Sequence, residues 1–421
     1  MPIRPLHILV VYTTRFPAVR GGIDTLIRTL CTGMPAPHRI SLLVPGDWED
    51  RTLTTSIHEG VTCHRLRLRL PWDPVRPLRG FLAWLGEFPR TLLALRGLLR
   101  REGVDVLHLF TLQTHQYYFR LLRWLGGPPY LITFVGSDVQ RFPADRFWRS
   151  RMLRWILAGA AAVSGVSPHL VEVIRHQFPE RQPVDCVGNG LLLRDFRPEV
   201  IGGEPFLPHP YFVVVGCLEQ LKGPETVVAA WGHLRQSHPE LHLVLIGTGN
   251  PDPGYPDFLR EMIRREGVGN QVHLLEEMER PRMLAAARHA LGFISASRSE
   301  GLPYVLLEAG AMARPVIFSD IRPLSDLIAS GTSGLLVPPD NPAALARAVA
   351  RLAADPDLAR RLGDRLFELV QRDYAAETMA AGYLRIYRRM TGMADPEVTV
   401  KVAERPSSVE GGGKLPPSIE S

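Results

Sequence analysis

Lysine is nearly absent from this chain. Of its 49 basic residues only Lys222, Lys401 and Lys414 are lysines, and the last two stand in a C-terminal tail. One lysine in a body otherwise served by arginine marks a place where a compact point charge is wanted rather than a planar fork. Cysteine is scarce too. Cys31, Cys63, Cys186 and Cys217 are widely scattered, and no Cys-x-x-Cys or Cys/His spacing occurs. That excludes a disulfide scaffold and a zinc-type cluster, and reads as buried, inert thiols in a reducing cytoplasm. No apolar run reaches the ~20 residues that a membrane-crossing helix needs. The opening "MPIRPLHILVVYTTRFP" has an apolar core but no small-residue cleavage site after it, so it reads as a first strand and not a signal peptide. The net charge is +6 with a pI near 9.3. No nucleic-acid-binding motif accompanies that charge, so nucleic acid is not expected as a partner.

What is present is alternation. Continuous apolar runs at 7–12, 40–44, 106–110, 130–135 and 161–166 read as strands buried on both faces, with helical patterns between most of them. Residues 64–70, "HRLRLRL", alternate with period two and read as a half-buried strand. The segment 194–210, rich in Pro and Gly, reads as a linker. The pattern then restarts at 211–216 and continues through 241–249, 272–275, 290–295 and 314–319. The result is an α/β chain with two doubly wound, parallel-sheet domains, whose ligands would bind beyond the carboxyl ends of the strands, in the cleft between them.

Three segments carry candidate chemistry. In "SRSEGLPYVLLEAG" (297–310), Gly301 permits a sharp turn, Pro303 suits the first helical position, and the following helix N-terminus favours a phosphate. Glu308, about a turn and a half further, suits a sugar diol, and Glu300 faces the group beyond the phosphates. In "GCLEQLKG" (216–223), Gly216 ends a strand and Lys222 brings a cation to the same surface, where it can neutralise a leaving diphosphate. Gly21-Gly22 offers open backbone from the first domain. Each has a bland reading: a turn, a solvated lysine, two glutamates spaced by chance. Their shared place at strand-to-helix junctions raises the joint case. His115 and Asp138 are candidates for the acceptor side, Asp138 equally as a helix cap. His108 reads as a strand histidine with satisfied hydrogen bonds. Arginine interleaves with Leu, Phe and Trp between residues 76 and 154, a composition suited to an anionic membrane surface, although arginine is the basic residue everywhere in this chain.

With these stretches and "GGIDTLIRTL", "GSDV", "VGNGLLLRDFRP", "LVLIGTGN" and "PLSDLIASGTSGLLVPPDNPAALARAV", the chain resembles the retaining, nucleotide-sugar-dependent glycosyltransferases of family 4. That resemblance implies the GT-B fold: a Rossmann-like acceptor domain over 1–200 and a Rossmann-like donor domain over 201–373, divided by a deep cleft. A helix at 374–393 would pack back on the first domain, and 394–421 would form a disordered tail. It further implies that Glu308 holds the donor ribose, that Glu300 lies by the donor sugar, and that Lys222 contacts the diphosphate. The Gly21-Gly22 backbone would meet the distal phosphate, with Gly216, Gly301, Leu302 and Pro303 shaping the pocket; Lys222 and Glu300 are the catalytic candidates. Transfer would go to a saccharide or lipid-linked hydroxyl without a metal or other cofactor, and no carboxylate pair is read as a metal-binding Asp-x-Asp. The protein would work in the cytoplasm, with the inner face of an anionic membrane as an open alternative. Two positions depart from the family: Cys217 replaces an arginine and Val135 a histidine. Arg298 is expected to supply part of the missing charge. Two alternatives stay open: a non-catalytic nucleotide-sugar-binding protein, which Cys217 and Val135 favour, and a sugar-nucleotide hydrolase or epimerase on the same fold, against which Val135 counts because that chemistry needs an acid or base near the sugar.

Overall fold

The structure, a computed structural model, describes residues 4–12, 21–46, 52–71, 77–140, 142, 147–181, 183–248 and 252–393. The tail expected at 394–421 lies outside the described residues.

The first sheet is built from β1 (His7–Val11), β2 (Arg39–Pro45), β3 (Thr54–His58), β4 (Val61–Leu66), β5 (Val106–Phe110), β6 (Tyr130–Phe134), β7 (Ala162–Gly165) and β8 (Asp185–Cys186), in the order β3-β4-β2-β1-β5-β6-β7-β8. All pairings are parallel except β3 with β4. The central strands are apolar throughout because helices cover both faces, and every residue of β1, β5 and β6 is buried. The helices here are α1 (Gly22–Gly33), α2 (Pro77–Arg101), α3 (Tyr117–Trp124), α4 (Ser137–Gln140), α5 (Phe147–Ala158), α6 (Pro168–Gln177) and α7 (Pro198–Ile201). The strand expected over 64–70 is instead Val61–Leu66. Its alternation outlasts the ladder, with Leu68 buried and Arg69 turned toward Glu87 at 3.0 Å.

The second sheet holds β9 (Tyr211–Gly216), β10 (His242–Gly247), β11 (Val272–Leu275), β12 (Gly292–Ser295), β13 (Val316–Ser319) and β14 (Leu335–Val337), all parallel, in the order β11-β10-β9-β12-β13-β14. Its helices are α8 (Pro224–Leu234), α9 (Tyr255–Glu266), α10 (Arg280–His289), α11 (Tyr304–Ala311), α12 (Leu324–Leu327), α13 (Pro342–Ala354) and α14 (Pro356–Asp373). A final helix, α15 (Ala376–Thr391), returns to the first sheet. It packs on α1 and β5, and Tyr387 Oη lies 2.7 Å from His108 Nδ1.

In each sheet the chain reverses its direction of winding once. In the first sheet the reversal lies between β1 and β5; in the second, between β9 and β12. Loops that diverge at such a switch leave a crevice at the carboxyl edge of the sheet. The loops after β1 and β5 carry Gly21-Gly22 and His115, and those after β9 and β12 carry Lys222 and Glu300.

Candidate donor and acceptor site

Lys222 reaches the site by a tight local route. Gly216 ends β9, a short 3-10 turn spans Gln220–Lys222, and Gly223 takes the left-handed conformation (φ 61°) before α8. A side chain at Gly223 would overlap the Ala296 carbonyl, so glycine lets this loop lie against the end of β12. The Lys222 ammonium contacts both oxygens of Glu300, each at 2.9 Å. Ser297 Oγ donates to Glu300 Oε1 at 2.7 Å, and Ser295 Oγ lies 3.0 Å from Ser297 Oγ. Glu300 is thus buried but satisfied, while Lys222 keeps some exposure (side chains 8% and 30% exposed).

Beyond Glu300 the chain turns at Gly301-Leu302-Pro303 into α11. Pro303 is the residue before the first helical turn, one position earlier than the sequence suggests, because Tyr304 is the first residue with helical geometry. Glu308 lies in the second turn of α11 and is buried. Burial pushes its carboxyl above the usual range, and the Arg280 guanidinium, 2.9 Å from Oε1, draws it back down. Arg280 opens α10, 28 residues before its partner, so no local pattern in the sequence pairs the two.

The two domains meet at this turn. Gly136 has a φ of 135°, and a Cβ on it would sit 3.0 Å from Gly301 Cα. A Cβ on Gly301 would overlap the Val135 carbonyl oxygen. Asn189 Nδ2 donates to the Leu302 carbonyl at 2.8 Å, and a Cβ on Gly22 would come within 3.4 Å of the Tyr304 ring. The start of α1 therefore faces the start of α11 across the cleft. The Gly21 amide is already engaged: it donates to Asp24 Oδ2 at 2.8 Å, and Asp24 is fixed in turn by the Tyr12 hydroxyl at 2.5 Å. The amides deeper in the first turn are those that a helix start leaves without an intrahelical partner.

Of the two residues expected to face an acceptor, Asp138 accepts through Oδ1 from the Gly136 and Val135 amides at 2.9 and 3.2 Å, while its Oδ2 is buried with no hydrogen-bond partner. Burial raises its carboxyl to about 6 against the opposing pull of those amides. His115 Nε2 is likewise buried and unpartnered, and burial lowers that imidazole to about 4. Both positions follow adjacent strands, β5 and β6. His108, by contrast, is fully satisfied within β5, by Tyr387 Oη and by Thr133 Oγ1, each at 2.7 Å.

Arg298 does not point its charge at this cleft. Its guanidinium contacts Glu225 and Asp340, both at 2.6 Å, and the Gln220 carbonyl, while its amide donates to Leu221 O at 2.9 Å. These contacts tie it to the lysine loop. The thiols are not uniformly buried as expected: Cys63 is, but Cys186 is exposed and Cys31 and Cys217 are half-buried. The one literal Asp-x-Asp in this region, Asp355-Pro-Asp357, serves α14. Asp355 accepts from the Leu358 amide at 2.8 Å, and Asp357 pairs with Arg360 at 2.6 Å. Sequence reasoning missed Arg280 and Asn189, whose partners lie 28 and 113 residues away, and also Asp24 and Ser297, whose three-residue spacing to Gly21 and Glu300 is a signal that could have found them.

Comparison with known proteins agrees with this geometry. A family model described as glycosyl transferases group 1 matches residues 203–367, and one described as glycosyl transferase 4-like domain matches residues 21–190. Among curated relatives, the D-inositol 3-phosphate glycosyltransferase of Streptomyces bingchenggensis is 30% identical over 255 residues, 56% of each chain. The chain spans about half the length of the curated relatives it matches. Among solved structures, sucrose-phosphate synthase of Thermosynechococcus elongatus superposes with a TM-score of 0.71 at 23% identity, over 92% of this chain and 99% of that one. Anabaena HepE, solved with UDP and glucose, gives a TM-score of 0.67 at 13% identity over 90% and 98%. These two share the fold of two Rossmann-like domains about a cleft.

Proposed function

The chain belongs to the group 1 glycosyltransferases with a 4-like N-terminal domain, and from that premise we propose that it transfers a sugar from a nucleotide-sugar donor to a hydroxyl of a saccharide or lipid-linked acceptor. The observation that carries this reading is the convergence at one turn. Lys222, Glu300 and the start of α11 meet there, Glu308 lies one turn further on, and the start of α1 stands opposite.

In this reading Glu308, ionised and oriented by Arg280, accepts from the ribose hydroxyls. The diphosphate lies between the N-termini of α11 and α1, with Lys222 as its cation. The donor's phosphates would draw Lys222 away from Glu300, freeing that carboxylate to accept from hydroxyls of the donor sugar. Gly216, Gly301, Leu302 and Pro303 shape the pocket without filling it, and Arg298 fixes the lysine loop. His115, neutral at pH 7, and Asp138, with an open Oδ2, line the acceptor side. Transfer proceeds with retention: the leaving phosphate takes the acceptor's proton on the face from which it departs. Lysine and the helix ends provide the positive charge, so the reaction runs without a metal. Contact with an anionic membrane accompanies the lipid-linked form of the acceptor.

Cys217 and Val135 sustain the second reading, a protein that binds nucleotide sugars without turnover. Calorimetry against UDP-, GDP- and ADP-sugars, followed by mass spectrometry of donor and acceptor pools, separates the two. Binding with transfer supports the transferase; binding with neither transfer nor hydrolysis supports the inert form; no binding to any sugar nucleotide overturns both.

A further inference from the structure

The surface apolar residues of this protein are not scattered. Of the eleven exposed large hydrophobic residues among the described ones, eight lie on or at the ends of α2, α3 and α5. These three helices cover the same face of the first sheet: each makes a right-handed crossover in the same direction, from β4 to β5, β5 to β6 and β6 to β7, and each packs on the next. On α2 the exposed Leu78, Leu82, Leu85 and Leu93 recur at helical spacing, with Phe81 beside them, and Leu78 is 71% exposed. Trp124, 80% exposed, and Trp155 continue the patch on α3 and α5.

Charge is concentrated on the same helices. They carry five, two and three arginines and a single acid, Glu87, which is turned toward Arg69. Their net charge of +9 compares with +6 for the whole chain, so the remaining residues sum to −3. A half-open hollow of about 410 Å³ lies between the ends of α2 and α3, where Arg96 and Arg100 stand over Leu99 and Leu122. The one acid lining it, Asp105, is occupied by Arg4 and the His7 amide.

The structure assigns this face to the surface of an anionic phospholipid bilayer, with the leucines and tryptophans entering the headgroup–acyl boundary and the arginines on lipid phosphates. Three physical reasons select that partner. Tryptophan and arginine, each apolar along its length and polar at its tip, fit the boundary between lipid and water. A nucleic acid would satisfy the arginines but leave the leucine row in water. A second copy of the chain would bring +9 against +9. No described helix is long and apolar enough to cross a membrane, so the contact is peripheral. The face also borders the cleft. Trp84 Nε1 on α2 donates to Tyr117 Oη at 2.7 Å, next to the turn that bears His115. On the proposed reaction, and resting on it, the acceptor side opens toward the bilayer.

The test is co-sedimentation of the full chain with phosphatidylcholine vesicles, with and without phosphatidylglycerol. Binding to the phosphatidylglycerol vesicles alone, weakened by salt, is the expected result. Joint replacement Leu78→Ser, Leu82→Ser and Leu85→Ser should lower vesicle affinity about tenfold or more, as should Arg79→Gln, Arg90→Gln and Arg100→Gln. Ile57→Ser with Phe258→Ser, exposed elsewhere, should leave it unchanged. All these side chains are on the surface, and circular dichroism verifies that each variant is folded. No binding to phosphatidylglycerol vesicles overturns the assignment, as does binding that survives both sets of replacements. So does a dimer, seen by light scattering, that the leucine replacements dissociate, or nucleic-acid binding that the arginine replacements abolish in a protein that ignores vesicles. None of these outcomes depends on whether sugar is transferred.

Discussion

At the scale of single residues, the decisive pair is Lys222 and Glu300. An ammonium held by both oxygens of a buried carboxylate is fixed in place yet remains partly open to solvent. Lys222→Ala should lower kcat/KM by about one to two orders of magnitude, the ~1.5–3 kcal/mol of a charge-assisted contact. Lys222→Arg should rescue little, because a bulkier planar fork would pair bidentately with Glu300 and hold the charge there, where a compact ammonium can turn from one partner to another. Steady-state kinetics on the donor decides it, and unchanged turnover in Lys222→Ala would remove the lysine from the reaction. Glu308 gives a pH prediction. Burial raises its folded-state affinity for a proton and Arg280 opposes this, so donor binding that needs the ionised form weakens as pH falls through its folded pKa. Arg280→Ala removes the opposing charge and should shift that loss to higher pH, with Arg280→Lys restoring the wild-type profile. Calorimetry from pH 5 to 8 reads the midpoint, and a variant with an unmoved midpoint would show that Arg280 does not tune Glu308.

At the scale of elements, the interdomain seam is backbone on backbone. Gly301→Ala places a methyl group against the Val135 carbonyl, and one of the two domains must yield. The expected outcome is at least about a tenfold loss of kcat with little change in donor affinity, since the seam matters to closure more than to the donor pocket. Small-angle scattering should show a larger radius of gyration; kinetics and scattering identical to wild type would mean the seam is not needed. This is also the scale at which the sequence is most legible. Runs such as "HILVV" and "YLITF" could only be strands covered on both faces, and they are. The turn at Gly301 and the cation at Lys222 were visible because glycine, proline and a solitary lysine have few uses. Arg280 and Asn189 were not, since each finds its partner through the fold, 28 and 113 residues away. The ion pairs of Arg298 are hidden for the same reason: its neighbours in sequence say nothing of Glu225 and Asp340. The short strands β8 and β14 escaped notice because two or three residues carry no period.

At the scale of the whole molecule, α15 ties the end of the chain to the core of the first domain through His108. Burial holds the His108 imidazole well below its ordinary value, so it stays neutral in the folded protein. The unfolded chain takes up that proton below about pH 6.5. Stability is therefore full above that pH and is lost as pH falls, by about 1.4 kcal/mol per pH unit for each such group. His7, His64 and His115 are lowered in the same sense and add to the slope. Urea unfolding of wild type should weaken between pH 7 and 5.5, and His108→Gln should weaken less steeply, by about one proton; equal slopes would mean that His108 does not contribute.

The path of the backbone has one more consequence. The polypeptide passes between the domains twice, once after Leu191 and again before Ala376, and the passages are bonded to each other: Leu191 N donates to Tyr374 O at 2.8 Å and Ala376 N to Leu191 O at 2.9 Å. A body hung on a single thread can swivel freely; one hung on two laced threads behaves like a door on adjacent pins. The halves can swing apart about that line, but they cannot turn face against face, so each reclosure returns α1 to the same place opposite α11.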